Sequence, residues 1–353
     1  MTEMRNRLRD AGIIQENDEA DTSNSVTDTP WFVKVLHAFS GWMASVFLLL
    51  TLGAMIGRLF DTPPMMFGLG LFLIATSYLL LNSKEDALFL QHVALSISLS
   101  GQALVSFALF QWSDYHAFGD PLPWLGLAGL ELLLMIAMPD YLHRVFSAGV
   151  FGVAMIFGMH CLGAGALVIP LLLGSVTWLG LHEYDQSNTI FLRQAIGWGL
   201  SLALLWSAAW GHAVNRYIFF DHHREYVGLD HPWIAALLSG GVLVYLVFVM
   251  TRENEDAGLQ RIFALVFVAL VALLSVWMPG LSVALTLLIL GFARGNLLLI
   301  GLSIATLLWA TGYFYYALHT TLLIKSALLV GTGIALLILY TAFHYALSNK
   351  EIS

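Results

Sequence analysis

The sequence predicts an all-α protein, a polytopic bundle of about twelve (ten to twelve) transmembrane helices. Of its 353 residues, 59% are hydrophobic and only 11% are charged, and the mean hydropathy is +0.79. A soluble domain has about 25% charged residues, because its surface faces water. The long apolar runs are continuous and lack the alternation of a membrane β-barrel, so they favour helices over strands.

Twelve apolar segments approach the length of about 20 residues that a helix needs to cross a bilayer. The weakest boundaries lie near His160 and at Pro279, where the adjoining segments are short for a full crossing and a re-entrant segment is an alternative. The predicted spans are 36–57, 64–81, 88–110, 123–138, 143–159, 162–181, 194–214, 232–251, 261–278, 280–293, 297–317 and 321–346.

The polar ends of the chain define three regions. Residues 1–30 form a tail with too little apolar content to fold alone, and we expect it to be partly disordered. The tail lacks the early apolar core and small-residue cleavage site of a secretory signal, so we expect the first span to be a retained anchor. Residues 31–346 form the transmembrane domain, and residues 347–353 form a second short tail.

The distribution of lysine and arginine predicts the orientation, because positively charged loops stay in the cytoplasm. With twelve spans and a cytoplasmic N-terminus, eleven of the fifteen lysines and arginines fall on the inner side. Both termini are then cytoplasmic. The loss of one span would invert every later loop and remove this asymmetry, so an even number of spans is favoured.

Composition and motifs argue against several classes of function. Much of the net charge of −8 lies in the N-terminal tail, and no basic patch is large enough to bind nucleic acid. The single cysteine, Cys161, excludes an intramolecular disulfide framework and a cysteine-rich metal site. His222 and His223 lie in an outer loop beside Arg224 without a zinc-binding spacing. No nucleotide-binding or catalytic-triad motif is present, so we expect neither a metal nor a cofactor.

Glu131 is the most informative polar residue, because it lies near the middle of the predicted span 123–138. Ionisable groups are costly inside a bilayer and are often functional there. An ionised carboxylate at this depth needs a cation, a proton or water, which indicates a site that couples transport to a proton or a cation. The alternative is a protonated glutamic acid that bonds a neighbouring helix and only stabilises the bundle.

The predicted span 88–110 carries the most polar helix face. Its histidine, serine and glutamine side chains recur at four-residue steps, which places them in two adjacent stripes. Such a face lines a cavity or hydrogen-bonds to neighbouring helices, and the second role is the more common one. Lys325, one turn into the last span, either snorkels to water or joins the same site. The candidate intramembrane polar site is therefore Glu131, Gln102, Ser98, His92 and Lys325.

Several short segments, spread over nearly the whole chain, form a recognisable pattern. They include Pro30-Trp31-Phe32-Val33-Lys34, Leu142-His143-Arg144, Ala293-Arg294-Gly295-Asn296 and Thr321-Leu322-Leu323-Ile324-Lys325-Ser326. In this order they resemble the bacterial membrane family called domain of unknown function 4401. The resemblance implies a multi-pass protein of the bacterial inner membrane and gives added weight to Arg294, Asn296 and Ser326. It also implies a partner, a smaller membrane-anchored protein with a GDYXXLXY motif, but no assigned activity.

Three functions remain open at this point. The first is a transporter-like protein that handles a small solute or lipid, which the span count, the polar helix face and Glu131 favour. The second is a non-enzymatic scaffold or assembly partner of the GDYXXLXY-type protein. The third, an intramembrane lipid-modifying enzyme that uses Glu131 or the outer histidines, is the least favoured, because no catalytic constellation is present. The bilayer lipids are the remaining expected partners, and the residues indicate no oligomeric state.

Overall fold

The computed structural model describes residues 62–82, 88–113, 119–183, 189–214, 231–252, 258–276, 278 and 280–317, together with isolated positions at 36, 40, 43, 47, 50, 51, 323, 326 and 330. These residues are helices and short turns, and none of them is in a strand. The chain divides into two compact units, Met1–Ala108 and Leu109–Ser353.

Ten helices fill the continuous ranges. They are α1 (Pro63–Leu81), α2 (Leu88–Trp112), α3 (Pro121–Ala137), α4 (Tyr141–Cys161), α5 (Gly165–Leu181), α6 (Ile190–Val214), α7 (Pro232–Arg252), α8 (Gly258–Leu274), α9 (Leu281–Ala293) and α10 (Leu297–Ala317).

The helices coincide with the ten predicted spans between residues 64 and 317, and their ends differ from the predicted ends by about four residues at most. Five of them, α1, α2, α4, α6 and α7, contain a described stretch long and apolar enough to cross a membrane. The chain is therefore a membrane protein with several apolar helices. The first and last predicted spans lie mostly outside the described residues, although their isolated described positions are helical.

Both uncertain boundaries of the sequence analysis are real breaks between helices. After α4, the backbone turns through Gly163 at a φ of +72°, which an L side chain rarely adopts. After α8, the turn ends at Gly280 with a φ of +93°, and an added Cβ there would lie 2.9 Å from the Ala208 carbonyl oxygen. The 13 residues of α9 measure only about 20 Å, less than the apolar thickness of a bilayer.

The core of the unit Leu109–Ser353 is built mainly from leucine side chains. One apolar cluster includes Leu173 of α5, Leu204 of α6, Leu246 of α7 and Leu287 of α9, all of which are completely buried. Next to this cluster, α4 packs along both α3 and α6. The helix α4 is therefore central to the unit, with one side against its hairpin partner α3 and another against α6.

Small residues let α4 and α6 approach each other closely. A Cβ atom added at Gly199 would lie 2.5 Å from Ala148 Cβ, and one added at Gly152 would lie 2.7 Å from Ala203 Cβ. Within membranes such small residues are a common means of helix association, because they bring the two backbones into van der Waals contact. This close contact fixes the position of α4, which carries part of the candidate site.

Candidate intramembrane polar site

The sequence places Glu131 on the buried side of α3. The buried residues of this helix, Leu127, Ala128, Glu131, Leu134 and Met135, recur at steps of three and four residues, which is the period of one helix face. Leu127 and Ala128 pack against Ala154 of α4. Glu131 follows them by one turn, so its carboxyl group is directed into the same interface and is only 1% exposed.

The α3–α4 hairpin explains which residues meet Glu131. Glu131 lies six residues before the end of α3, and Ser147 lies six residues after the beginning of α4. Because the helices are antiparallel and joined by a short turn, these two positions lie at the same height, about 9 Å from the helix ends. His143 lies one turn closer to the hairpin connection, on the same face of α4 as Ser147.

Glu131, Ser147 and His143 form a continuous series of polar side chains, which we call the buried polar chain. Ser147 and His143 are both fully buried, and the Ser147 Oγ atom lies 3.4 Å from His143 Nδ1. The Ser147 hydroxyl also lies close enough to the Glu131 carboxyl group to interact with it as a hydrogen-bond donor. Within the described part of the chain, however, neither carboxyl oxygen makes a hydrogen bond of good geometry. The carboxyl group is thus buried with little compensation.

The connection between the two helices is itself well ordered by hydrogen bonds. The Asp140 carboxylate accepts a bond from the His143 backbone N–H at 2.8 Å, which caps the first turn of α4. The Arg144 Nε atom donates to the Met138 carbonyl oxygen at 2.6 Å. These contacts fix the backbone on both sides of His143, so the imidazole is held in place at the end of the buried polar chain that lies nearest the helix connection.

The other members of the predicted site belong to the other unit or lie outside the described residues. Ser98 and Gln102 of α2 are buried, and His92 is half-buried. They belong to the unit Met1–Ala108, whereas Glu131 belongs to the unit Leu109–Ser353, so a site that joins them stays a prediction. Lys325, His222 and His223 lie outside the described residues.

Neighbouring hydroxyls on α2 bond to their own helix. Ser100 Oγ donates to the Ser96 carbonyl oxygen at 2.8 Å, and Ser106 Oγ donates to the Gln102 carbonyl oxygen at 2.7 Å. Such bonds satisfy a hydroxyl inside an apolar environment without a partner helix. They favour the structural interpretation for these two serines of the polar face.

A second group of polar residues, the charged cluster, joins the ends of several helices in the unit Leu109–Ser353. The Arg294 guanidinium group after α9 forms an ion pair with the Glu183 carboxylate after α5. The Gln194 side chain of α6 donates to Glu183 Oε1 at 2.5 Å, and Glu183 is only 2% exposed. The Tyr141 phenol at the start of α4 lies within electrostatic range of both charges.

Contacts around the end of α5 extend the charged cluster. Arg193 donates to the carbonyl oxygen of His182, which stabilises the last turn of the helix, and its guanidinium lies 5.8 Å from the Trp178 ring centroid. The His182 ring stacks on the same tryptophan at 5.1 Å. Sequence analysis missed Glu183, because an acidic residue in a polar connection is ordinarily solvated and gives no signal of burial.

The turn between α9 and α10 contains two of the three family-segment residues, Arg294, which joins the charged cluster, and Asn296. The Asn296 carbonyl Oδ1 accepts a bond from the Leu299 backbone N–H at 3.1 Å, which caps α10. Gly295 has a φ of +63°, so a side chain there would strain the turn. Ser326, the third such residue, is exposed, and its hydroxyl donates to the Leu323 carbonyl oxygen at 2.9 Å.

The sequence profile of a family described as "Domain of unknown function (DUF4401)" matches residues 30–346. The chain belongs to this family. The match covers nearly the whole chain and includes the buried polar chain, the charged cluster and the segments that carried the resemblance. No curated protein and no solved structure is significantly similar to the chain. Family membership supplies no activity, so any argument about function rests on the chemistry of the side chains.

The chemistry that the buried polar chain offers is proton exchange. Its carboxyl, hydroxyl and imidazole groups each donate or accept hydrogen bonds, and two of them change their charge on titration. Among the residues that the structure describes, no group of three histidine, cysteine, aspartate or glutamate side chains is arranged to hold a metal ion. The charged cluster, in contrast, consists of groups that already neutralise each other.

One acidic group outside the helices has a perturbed pKa. A hydrogen bond from the Ser113 hydroxyl, and a second from the Leu122 backbone N–H at 3.1 Å, hold the pKa of Asp120 below its usual value. Both bonds favour the ionised carboxylate, which caps the first turn of α3. Asp120 therefore anchors the beginning of the helix that carries Glu131.

Proposed function

We propose that the protein is a transporter-like protein of the bacterial inner membrane that handles a small solute or lipid, with Glu131 at its coupling site. The observation that carries this proposal is the nearly complete burial of the Glu131 carboxyl group in an apolar helix, without a well-formed hydrogen bond to any of the described residues. An ionisable group inside a membrane is expensive, and such groups usually mark ion or substrate pathways.

The charged cluster offers a useful contrast to Glu131. Glu183 is just as deeply buried, but it has a cationic partner and a hydrogen-bond donor, as a purely structural carboxylate requires. Among the residues that the structure describes, Glu131 has the Ser147 hydroxyl as its polar neighbour and, beyond it, the His143 ring. A half-satisfied polar group destabilises a bundle relative to an apolar residue, so a functional role explains Glu131 better than a structural one.

The proposed topology has twelve spans with both termini in the cytoplasm, as the positive-inside rule favours. In that arrangement the α3–α4 connection, with Asp140 and Arg144, faces the cytoplasm. The charged cluster lies on the same side. The buried polar chain then begins beneath the cytoplasmic surface at His143 and leads about 6 Å further into the membrane, to the level of Glu131.

The test is transport by the reconstituted protein. Proteoliposomes on a solid-supported membrane are challenged with a library of small solutes, and transient currents are compared between the wild type and Glu131→Gln. The matched control is Gly129→Ala on the same helix, where an added Cβ meets no atom within 4 Å. We expect at least one solute to give a current that Glu131→Gln loses and Gly129→Ala keeps.

A current of equal size in Glu131→Gln would place the coupling site elsewhere. If no solute gives a current, a pull-down of the tagged protein from native membranes becomes decisive. A stoichiometric GDYXXLXY-type partner would replace the transport proposal with the scaffold hypothesis. Retained lipid or small molecule without such a partner would instead name the substrate class for a second round of reconstitution.

A further inference from the structure

We infer that the ligand of the buried polar chain is a single proton, which Glu131 and His143 share through the Ser147 hydroxyl. This inference rests on the proposed function, since it names the coupling ion of that site.

The three side chains together supply the donors and acceptors that one proton needs to move along the buried polar chain. In this path a protonated Glu131 donates its O–H to the Ser147 oxygen, and the Ser147 hydroxyl, 3.4 Å from His143 Nδ1, donates to that nitrogen. Transfer breaks the Glu131 O–H bond, moves the Ser147 proton to Nδ1 and returns the Glu131 proton to Ser147. The products are a carboxylate, an unchanged serine and an imidazolium, so no other reactant is needed.

A metal cation does not fit the same donor set. Cations such as Ca²⁺ take about six to eight oxygen ligands, and intramembrane Na⁺ sites draw several of theirs from carbonyls of interrupted helices. Here α3 and α4 are continuous helices through Glu131 and Ser147, so their carbonyls are used within the helices. Among the described residues, the site offers one carboxylate, one hydroxyl and one imidazole, too few ligands to replace a hydration shell.

Burial acts on both ends of the buried polar chain. At Glu131 it favours the neutral carboxyl group, because an ionised one would lose its hydration. At His143 it disfavours the imidazolium, and the nearby Asp140 carboxylate opposes this effect without outweighing it. The proton therefore rests on Glu131, and the Asp140 carboxylate is the charge that lowers the cost of moving it to His143.

Other ionisable groups on the packed helices have their own partners. On α4, the Arg144 guanidinium binds the Met138 carbonyl oxygen, and Tyr141 interacts with the charged cluster. On α6, Arg193 binds the His182 carbonyl oxygen. His160, at the far end of α4, also has interactions of its own. Among the described side chains, the Ser147 hydroxyl is the polar group that interacts with the Glu131 carboxyl group as a hydrogen-bond donor.

Infrared difference spectroscopy on the purified full-length protein in lipid nanodiscs tests this inference. The absorption of a neutral carboxylic acid is separate from that of a carboxylate, and exchange into D₂O shifts it. We expect a buried carboxylic acid band near neutral pH that Glu131→Gln removes. The matched control, Glu183→Gln, should leave the band unchanged, because the Glu183 carboxylate forms an ion pair with Arg294. His143→Gln and Ser147→Ala should each shift the band frequency, because they break the hydrogen-bonded path.

If Glu131→Gln does not fold, isotope labelling of glutamate carboxyl groups in the wild type assigns the band instead. A band that is absent from the folded wild type near neutral pH, or that His143→Gln and Ser147→Ala leave unmoved, would overturn the inference. So would a rise in the unfolding temperature on addition of Na⁺, K⁺ or Ca²⁺ that Glu131→Gln abolishes. These failures concern the proton alone, whereas the transport proposal fails only if the solute currents are absent or independent of Glu131.

Discussion

Among the glycines that the structure describes, the close approach of α4 and α6 makes Gly199 the position where a single methyl group should have the largest effect on stability. An added Cβ would lie 2.5 Å from Ala148 Cβ and 2.7 Å from the Gly149 backbone nitrogen, and closer still to the Val145 carbonyl oxygen. Ordinary carbon contacts are about 3.5–4 Å. Two of the three atoms belong to the backbone, so rotation of a side chain cannot relieve the overlap, and the helices must separate by roughly 1 Å.

The loss of stability that we expect in Gly199→Ala follows from two opposing effects. Overpacking in a tight interior costs about 1–3 kcal/mol, and rigid backbone neighbours put Gly199→Ala at the upper end of this range. Replacing a mid-helix glycine by alanine also stabilises a helix by about 1 kcal/mol in its own right. Gly197→Ala, two residues earlier on α6, gains the same helical contribution but meets no atom within 4 Å. The difference between the two variants therefore isolates the packing cost, which we expect to be about 2–3 kcal/mol.

The assay is reversible unfolding in mixed detergent micelles, followed by the fluorescence of the eleven tryptophans. The wild type, Gly197→Ala and Gly199→Ala are compared at the same detergent composition. Gly199→Ala should be the least stable of the three, and Gly197→Ala should equal or exceed the wild type. Equal stability of the two variants would mean that α4 and α6 do not approach as described, which would also remove the basis for the position of Ser147 and His143.

Two further predictions concern charged groups. Glu183→Ala should cost about 3 kcal/mol in the same unfolding assay, because it leaves the largely buried Arg294 unpaired, and adding Arg294→Ala should recover part of that loss. Strictly additive losses in the double variant would refute the pairing. Asp120 should stabilise the fold through its lowered pKa. That contribution is fully present above the usual pKa of 3.8 and is lost as the pH falls through the lower folded pKa, so acid unfolding should begin at higher pH in Asp120→Asn. An unchanged acid transition in this variant would contradict the proposed cap.

Helix positions were predictable from the sequence because apolar runs end where charged residues or helix breakers begin. The predicted span 297–317 coincides with α10, which starts directly after the Asn296 cap. The prediction for α6 began four residues late, because Arg193 was assigned to a solvated connection. In the structure its guanidinium bonds back to the end of α5, so the helix includes it. Conversely, the predicted span 261–278 ended four residues late, because α8 ends at Leu274, before the turn that leads to Gly280.

The candidate site was only partly predictable. Glu131 stands out by residue type alone, since a carboxyl group in an apolar run has few explanations. Ser147 and His143 were not identified as site residues. Ser147 mirrors Glu131 about the short connection at residues 138–140 and could have been found by that symmetry, with His143 one turn before it. The pairing of α4 with α6 and the ion pair between Glu183 and Arg294 join residues that are distant in sequence. Nothing in local periodicity specifies such contacts.

The central claim is that the buried polar chain belongs to a pathway that opens to water during function. Thiol accessibility of Ser147→Cys in a Cys161→Ser background, measured with a small membrane-impermeant reagent in vesicles of each orientation, tests this claim most directly. The control is Ser201→Cys on α6, a buried serine that bonds within its own helix. The account predicts that Ser147→Cys reacts from at least the cytoplasmic side while Ser201→Cys does not. If Ser147→Cys stays unreactive from both sides yet reacts fully after unfolding, the chain is a sealed structural contact and the account is contradicted.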